Sequence, residues 1–360
     1  MSTPIFSPEA IVTYTETRLF GKNVSPEDVT SINLHNGVLP SKLEHMLASV
    51  GGGFDRVLQN NGREPLYYQH GGLHIPQYSG FGRRRRYEQM IDAYLQASNR
   101  NTTFRSLEVE GKARKTNHAY DNFAYDFVKK LFEQEPMSDI TRVIFGPLNA
   151  VAKQAKVLEE RPDEYLPSQI VDVNGRKVAN LGYVFSDQAG ILIDKMLIEY
   201  AAIAKERGDK PRIEMFMFGR VGGLREDMQR HDLVFPTGIV DDTDLEDGRV
   251  FVYPMHNVLT TGHGFEGLNL NVNAVVNQTF EQLKRGADNG CICVEMETRE
   301  TVDSVNQGRR RYAGILRIEF GFAGFVSDMP LLGDTIDREL DSDRGEQAAL
   351  ERIIEHIARH

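Results

Sequence analysis

The chain of 360 residues has no tryptophan and only two cysteines. Cys291 and Cys293 stand in a C-x-C too close for an ordinary disulfide, and no other thiol exists to complete a zinc site. A disulfide framework is thereby excluded, and a reducing compartment fits. No run of about 18 apolar residues occurs, so no membrane-spanning helix is expected. The N-terminal MSTPIFSPEA also lacks the basic region and apolar stretch of a secretory signal, and the chain reads as soluble and cytoplasmic. Positive charge is in deficit: 42 Lys and Arg against 52 Asp and Glu leave a formal charge of −10, which repels phosphate backbones and anionic membranes. Nucleic acid and membrane surfaces are poor default partners. No P-loop, nucleophile elbow or complete G-x-G-x-x-G is found, and His70, His74, His256 and His263 lack metal-ligand spacing. Neither a cofactor nor a metal is expected.

What is present is length and a change of pattern along it. At about 150 residues per domain the chain suggests two domains, and roughly three quarters of its unfolded surface can be buried without staples. Residues 1–138 are rich in polar and aromatic loops, such as Tyr67-Tyr68-Gln69-His70-Gly71-Gly72, and carry the arginine run Arg83 to Arg86. Helical spacing links Leu43, Met46, Leu47 and Val50, and a wide apolar stripe runs from Thr116 to Glu135 before Pro136 stops it. This segment is expected to be mixed or mostly helical, and serves as material for an oligomer interface or a cover over a pocket.

From residue 139 to 360 short β-branched or apolar runs alternate with amphipathic stretches, the pattern of an α/β domain with a largely parallel sheet covered by helices on both faces. Strands are expected at Arg142 to Phe145, Lys177 to Leu181, Arg212 to Phe218, Asp232 to Phe235, Arg249 to Tyr253, Cys291 to Val294 and Tyr312 to Phe320. Helices are expected at Leu148 to Glu160, Asp187 to Arg207, Asn273 to Gly286 and Glu346 to His360. The last places Leu350, Ile353, Ile354 and Ile357 on one face.

Three segments invite chemistry. Met217-Phe218-Gly219-Arg220-Val221-Gly222-Gly223-Leu224-Arg225 follows a strand, and backbone N–H groups in such a glycine turn can cradle an anion or a sugar hydroxyl. In Val294-Glu295-Met296-Glu297 two carboxylates leave the end of a buried strand, an arrangement that is costly unless they have hydrogen-bonding work. Phe325-Val326-Ser327-Asp328-Met329-Pro330 puts an aspartate after the last long apolar strand, at the carboxyl edge where open α/β sheets bind ligands.

In order and spacing these segments resemble the purine nucleoside phosphorylase and nucleosidase superfamily, and AMP nucleosidases most of all, over about residues 140 to 360. Gly146-Pro147 stands where the first phosphate loop of that family begins, Asn174 to Ala179 is similar to its second-strand entry, and Met217 to Arg225 matches its Gly-Gly-Leu turn. His231-Asp232-Leu233-Val234 stands for Gly-Asp-x-Val, Val294 to Glu297 for the Glu-Met-Glu ribose motif, and Val326 to Asp334 for the segment with the catalytic aspartate. The resemblance implies a three-layer α/β/α fold with a central mixed sheet and cleavage of an N-glycosidic bond. It assigns Asp328 as the acid that protonates the leaving purine, and Glu295, Met296 and Glu297 as ribose ligands. Thr260, Thr261 and Phe265 fall on the base, and Gly146, Arg220, Gly222, Gly223 and Arg225 on a phosphate or other anion. A homo-oligomer, up to a dimer-based hexamer, is implied as well.

Departures shape the expected reaction. Met217 stands where phosphorylases carry a phosphate-binding arginine, which favours water as nucleophile, although a one-residue gap would recruit Arg220 instead. Arg299 replaces a small residue after the Glu-Met-Glu motif. The expected substrate is a purine ribonucleotide, AMP before others, hydrolysed to base and ribose 5-phosphate. The alternatives are a phosphate-dependent phosphorylase and a nucleotide-binding regulatory protein without catalysis.

Overall fold

The computed structural model describes residues 5–20, 22–36, 38–57, 65–77, 81–108, 116–133, 139–162, 166–182, 186–246, 248, 250–260, 262, 264–272, 278–334 and 342–360. Thr261, His263, Pro136 and the expected helix start at residues 273–277 lie outside them. The chain divides into two compact units: Phe6–Ala124 with Asn273–Gln278, and Met1–Ile5 with Tyr125–Val272 and Thr279–His360.

The first unit contains α1 (Pro8–Leu19), β1 (Ser31–Asn36), α2 (Pro40–Val50), β2 (Asp55–Val57), β3 (Leu66–Gln69), β4 (Gly72–Gln77), α3 (Phe81–Ser98), β5 (Thr103–Glu108) and the start of α4 (Thr116–Glu133). Its sheet has the order β2-β3-β4-β1-β5, with β1 parallel to both neighbours and the β2-β3-β4 edge antiparallel. Of the two expectations for this segment, mixed is what forms. In β1 only Ile32 and Leu34 are apolar, and the polar residues between them, Asn33 and His35, are buried too, so its short alternation does not read as the two-sided buried strand it forms. In α2 the four-residue stripe narrows to Leu43 and Leu47, which pack with Val38 and Tyr67, while Met46 and Val50 face outward.

The second unit runs from the rest of α4 through β6 (Arg142–Phe145), α5 (Leu148–Gln154), β7 (Lys156–Arg161), β8 (Ser168–Val173), β9 (Arg176–Asn180), α6 (Ser186–Arg207), β10 (Arg212–Gly223), β11 (Leu233–Asp241), α7 (Asp242–Glu246), β12 (Val252–Pro254), β13 (Phe265–Asn271), α8 (Phe280–Asp288), β14 (Cys291–Glu295), α9 (Thr298–Arg311), β15 (Arg317–Asp328) and α10 (Ser342–Arg359). The sheet is mixed. Five of its strands close on themselves: β10 pairs with β15, β15 with β11, β11 with β13, β13 with β14, and β14 returns to β10. From this ring β6, β9, β8 and β7 extend as an open wing.

Parity along β10 and β15 sorts the helices into two layers. Phe216, Phe218, Ala323 and Phe325 form one core with Ala150 and Val151 of α5 and with Ala349, Leu350, Ile353 and Ile357 of α10. On the opposite face Ile318 lies against Gly308 of α9, which also meets Leu197 of α6 with no room for a side chain. Helix, sheet and helix thus stack in three layers.

One expected helix is corrected. The reading of Leu148 to Glu160 as a single helix fails at Ala155, whose backbone is extended, and Lys156–Arg161 becomes an edge strand paired with β8. Cross-strand pairing outweighs the helical propensity of Lys-Val-Leu-Glu-Glu. The last strand is longer than expected: β15 continues through Gly321 and Gly324 to Asp328 without interruption.

Candidate active site

The twelve residues of β10 bring the three sequence segments together. Its amino-terminal half lies beside β6 and its last two residues pair antiparallel with β14, Gly222 opposite Val294 and Gly223 opposite Cys293. On its other side β10 runs parallel to β15 up to a bulge between Val221 and Gly222, after which Gly222 stands opposite Asp328. The glycine pair therefore sits between the aspartate and the strand that delivers Glu295, Met296 and Glu297. Both glycines are closely packed, Gly222 against a branched side chain and Gly223 against the flexible end of Met329. A Cβ on Gly222 would come within 2.8 Å of a Val294 methyl, and one on Gly223 within 2.5 Å of the Met329 sulfur.

Asp328 is 6% exposed and its carboxyl is pushed up to about 6. Burial is the main cause; a hydrogen bond from the Ser327 hydroxyl opposes it, the Asp334 carboxylate adds to it, and the Arg230 and Arg220 charges oppose it. A carboxyl held in this range can hand on a proton near neutrality. Arg220 is exposed, and among the described residues no ion pair or hydrogen bond holds it. Met217 is buried between Phe145 and Phe322, out of reach of any anion.

The two glutamates of the Val294–Glu297 segment are not equivalent. Glu295 is buried, and its carboxylate accepts from Asn269 Nδ2 at 2.7 Å, from the Glu297 N–H at 2.5 Å, from the Thr298 N–H at 3.0 and 3.1 Å, and from the Thr298 hydroxyl. It caps the first turn of α9 from inside the barrel. Burial raises its pKa, the neighbouring Glu297 charge adds to that, and the Thr298 and backbone donors oppose it. Glu297 is half-buried at the N-cap position of α9, with its backbone fixed by Glu295 and by the Thr301 hydroxyl on its carbonyl. Met296 packs on the cluster formed by Leu224, Val240, Leu270 and Val294.

The base-side residues divide. Phe265 opens β13, half-buried opposite Val234, and the Arg225 guanidinium lies over its ring at 5.3 Å while pairing with Asp227. Thr260 is exposed and bonds the Asn257 carbonyl; among the described residues no hydrogen bond joins it to Asp328 or Glu297. Gly146, after β6, has the Phe218 ring where a side chain would be, so the chain end of β6 abuts β10 without a gap. Arg299 turns away from this group, bonding Asp241 and stacking on Tyr253 at 3.7 Å.

Sequence reading missed Asn269, Thr298, Arg230 and Asp334. Asn269 signals itself only as an amide in the apolar strand β13, where it also accepts from the Cys293 thiol. His231 carries a readable trace: it occupies the Gly position of Gly-Asp-x-Val and has φ of +73°, the left-handed conformation that glycine adopts freely.

At the opposite edge of the sheet Glu214 is fully buried under Arg142 (2.8 Å), Arg212 (3.0 Å) and His356 of α10 (3.4 Å), and Arg212 also reaches Glu319 at 2.5 Å. Glu214, Glu319 and His356 are close enough to share a metal ion, but the arginines already balance the carboxylates, and the cluster reads as an ion-pair network.

No protein-family model matches the chain, and no curated protein matches it. Solved structures similar to it include uridine phosphorylase from Schistosoma mansoni in apo form, with 16% identity and a TM-score of 0.47 over 65% of this chain and 92% of that one. Futalosine hydrolase of Helicobacter pylori is similar at 13% identity and a TM-score of 0.46, over 61% of this chain and all of that one. The 5′-methylthioadenosine/S-adenosylhomocysteine nucleosidase of Campylobacter jejuni is similar at 9% identity and a TM-score of 0.43, over 61% of this chain and 100% of its own.

Proposed function

We propose that the second unit hydrolyses the N-glycosidic bond of a purine ribonucleotide, AMP before others, releasing free base and ribose 5-phosphate. The carrying observation is the register at the end of β10, where Gly222 and Gly223 join Asp328 on one side to the Glu295–Glu297 segment on the other. As the glycosidic bond lengthens, the ribosyl group gains positive charge and the purine gains negative charge. Protonated Asp328 supplies a proton to the departing base, and its raised pKa keeps part of the population in the acid form at working pH. Glu297 binds the ribose hydroxyls, held in place by Glu295 beneath it. Phe265 stacks on the base with Arg225 over its ring. An apolar Met217 in place of the phosphate-binding arginine of phosphorylases supports water as the nucleophile. The same reading includes a homo-oligomer, which light scattering tests directly.

A second reading, a phosphate-dependent phosphorylase, is favoured by one observation: Arg220 is an exposed cation whose charge reaches Asp328. Incubation with AMP, adenosine, inosine and methylthioadenosine, with and without inorganic phosphate, separates the two by chromatography of the products. Ribose 5-phosphate formed without added phosphate supports hydrolysis. A ribose 1-phosphate derivative that forms only with phosphate moves Arg220 into the site, and no free base under any condition removes the enzymatic reading.

A further inference from the structure

The turn that follows Asp328 is locked from a distance. Met329 and Asp334 bond each other through their backbones, N–H to carbonyl at 3.0 and 3.2 Å, and between them Pro330–Leu332 form a single 3-10 turn closed by Gly333 at φ +74°. Onto this loop comes Arg230, 104 residues away in sequence, whose guanidinium grips both oxygens of Asp334: Nε to Oδ2 at 2.8 Å and Nη2 to Oδ1 at 2.5 Å. Arg230 is itself fixed, since the next residue donates its N–H to the Val326 carbonyl at 2.8 Å and the Val326 N–H returns to Asp232 at 2.9 Å. A planar, bidentate pair of this kind fixes geometry as well as charge.

We propose that Arg230 and Asp334 form a positioning clasp for Asp328, holding the turn after it shut and presenting it with two charges of opposite sign. The inference rests on the reading of Asp328 as the proton donor. Among the described residues the ionic groups that act on Asp328 are Asp334, Arg230 and, from β10, Arg220; His231 and Asp232 flank Arg230 on the same segment, Asp232 accepting the Gln229 N–H at 2.8 Å. Within this set Asp334 favours the protonated carboxyl and Arg230 the ionised one. Losing either partner leaves the other acting alone, so the two single variants must move Asp328 in opposite directions. A pair that merely stiffened the loop would not do this.

The test is a carbon-13 NMR titration of the Asp328 carboxyl in the full chain labelled on aspartate, its signal assigned by its loss in Asp328→Asn. Asp334→Asn should shift the midpoint to lower pH and Arg230→Gln to higher pH, each by on the order of half a unit to one unit. The double variant should return towards the parent. Arg230→Lys, which keeps the charge and loses the fork, should hold the midpoint while lowering kcat with little change in KM. Shifts in the same direction, or none, overturn the proposal, as does a double variant displaced further than either single. If a variant melts below the assay temperature, a second charge-removing substitution at the same position, Arg230→Met or Asp334→Ser, decides by the same titration. Because the titration needs no turnover, an inactive parent chain would remove the nucleosidase reading alone and leave the clasp to be judged separately.

Discussion

Gly222 stands opposite Asp328 at the end of the β10–β15 pair, one position after the bulge that breaks their register. Gly222 pairs with β15 on one side and, in the opposite direction, with β14 on the other, so this one backbone position joins Asp328 to the strand that leads to Glu297.

Gly222→Ala should therefore cost both stability and activity. The added methyl meets a Val294 methyl at 2.8 Å and the Pro330 ring at 3.4 Å, and neither is a flexible chain end. Overpacking of this kind costs about 1–3 kcal/mol. Base release should fall further than the melting temperature implies, because the displaced parts are the Asp328 turn and the Val294–Glu295 strand. A variant with parent-like rate and parent-like melting would show that the strands do not meet here as described.

Asp328→Asn should abolish base release while ligand binding stays within about tenfold, since an amide keeps the shape but delivers no proton. The rate of the parent enzyme should decline as pH rises through about 6, where the buried carboxyl ionises. Stability gives a second check with a fixed sign. The folded pKa lies above the ordinary 3.8, so the folded chain bears the cost of an ionised buried Asp328 only as pH rises through that window and above it. Thermal melts should show Asp328→Asn gaining on the parent at pH 8 relative to pH 4. Equal differences at both values would mean the carboxyl is solvated.

Glu295 and Glu297 should separate cleanly on substitution. Glu295→Gln sets an NH2 group among donors from Asn269, Thr298 and the Glu297 backbone, and the lost acceptor should cost roughly 2–3 kcal/mol, read as a lower urea midpoint. Glu297→Gln should leave that midpoint in place, weaken ribosides and slow the reaction, with free base binding scarcely changed. Equal losses for riboside and free base would show Glu297 acting through the fold.

How much of this could be read from the chain follows from which signals are local. Helix α10 was legible because Leu350, Ile353 and Ile357 all enter one core. Helix α9 was not, because its inward residues are Thr298, Thr301, Val302, Val305 and Gly308, small or polar groups that give no apolar stripe. Gly321 and Gly324 look like strand breakers, yet they are the points where Leu259 and Val221 pack against β15, so the strand runs through them. At the candidate site, Asp328, Glu297 and the glycine pair were singled out by their order along the chain. The supports were not: Arg230 meets Asp334, and Asn269 meets Glu295, only after the barrel closes.

In the first unit the buried His35 and the half-buried His74 of adjacent parallel strands touch ring to ring, Nε2 to Nδ1 at 2.9 Å, which requires at least one of the rings to be neutral. Burial, with a smaller repulsion from His74, brings His35 down from 6.5 to about 4, and burial lowers His74 as well. The sign follows directly. Between about 4 and 6.5 the unfolded chain binds a proton at this position that the folded chain refuses, so the stability it contributes is complete above 6.5 and is lost as pH falls through the window. At about 1.4 kcal/mol per unit of pKa, the loss across the whole window is on the order of 3–4 kcal/mol. His35→Gln should flatten this part of the pH dependence, so that its urea midpoint changes less than the parent's between pH 7 and pH 4.5. Asp328 and Glu295 are common to both chains and drop out of the comparison. If the two chains lose stability in parallel across that interval, the His35 ring is open to water and the pair is not a buried acid-sensitive contact.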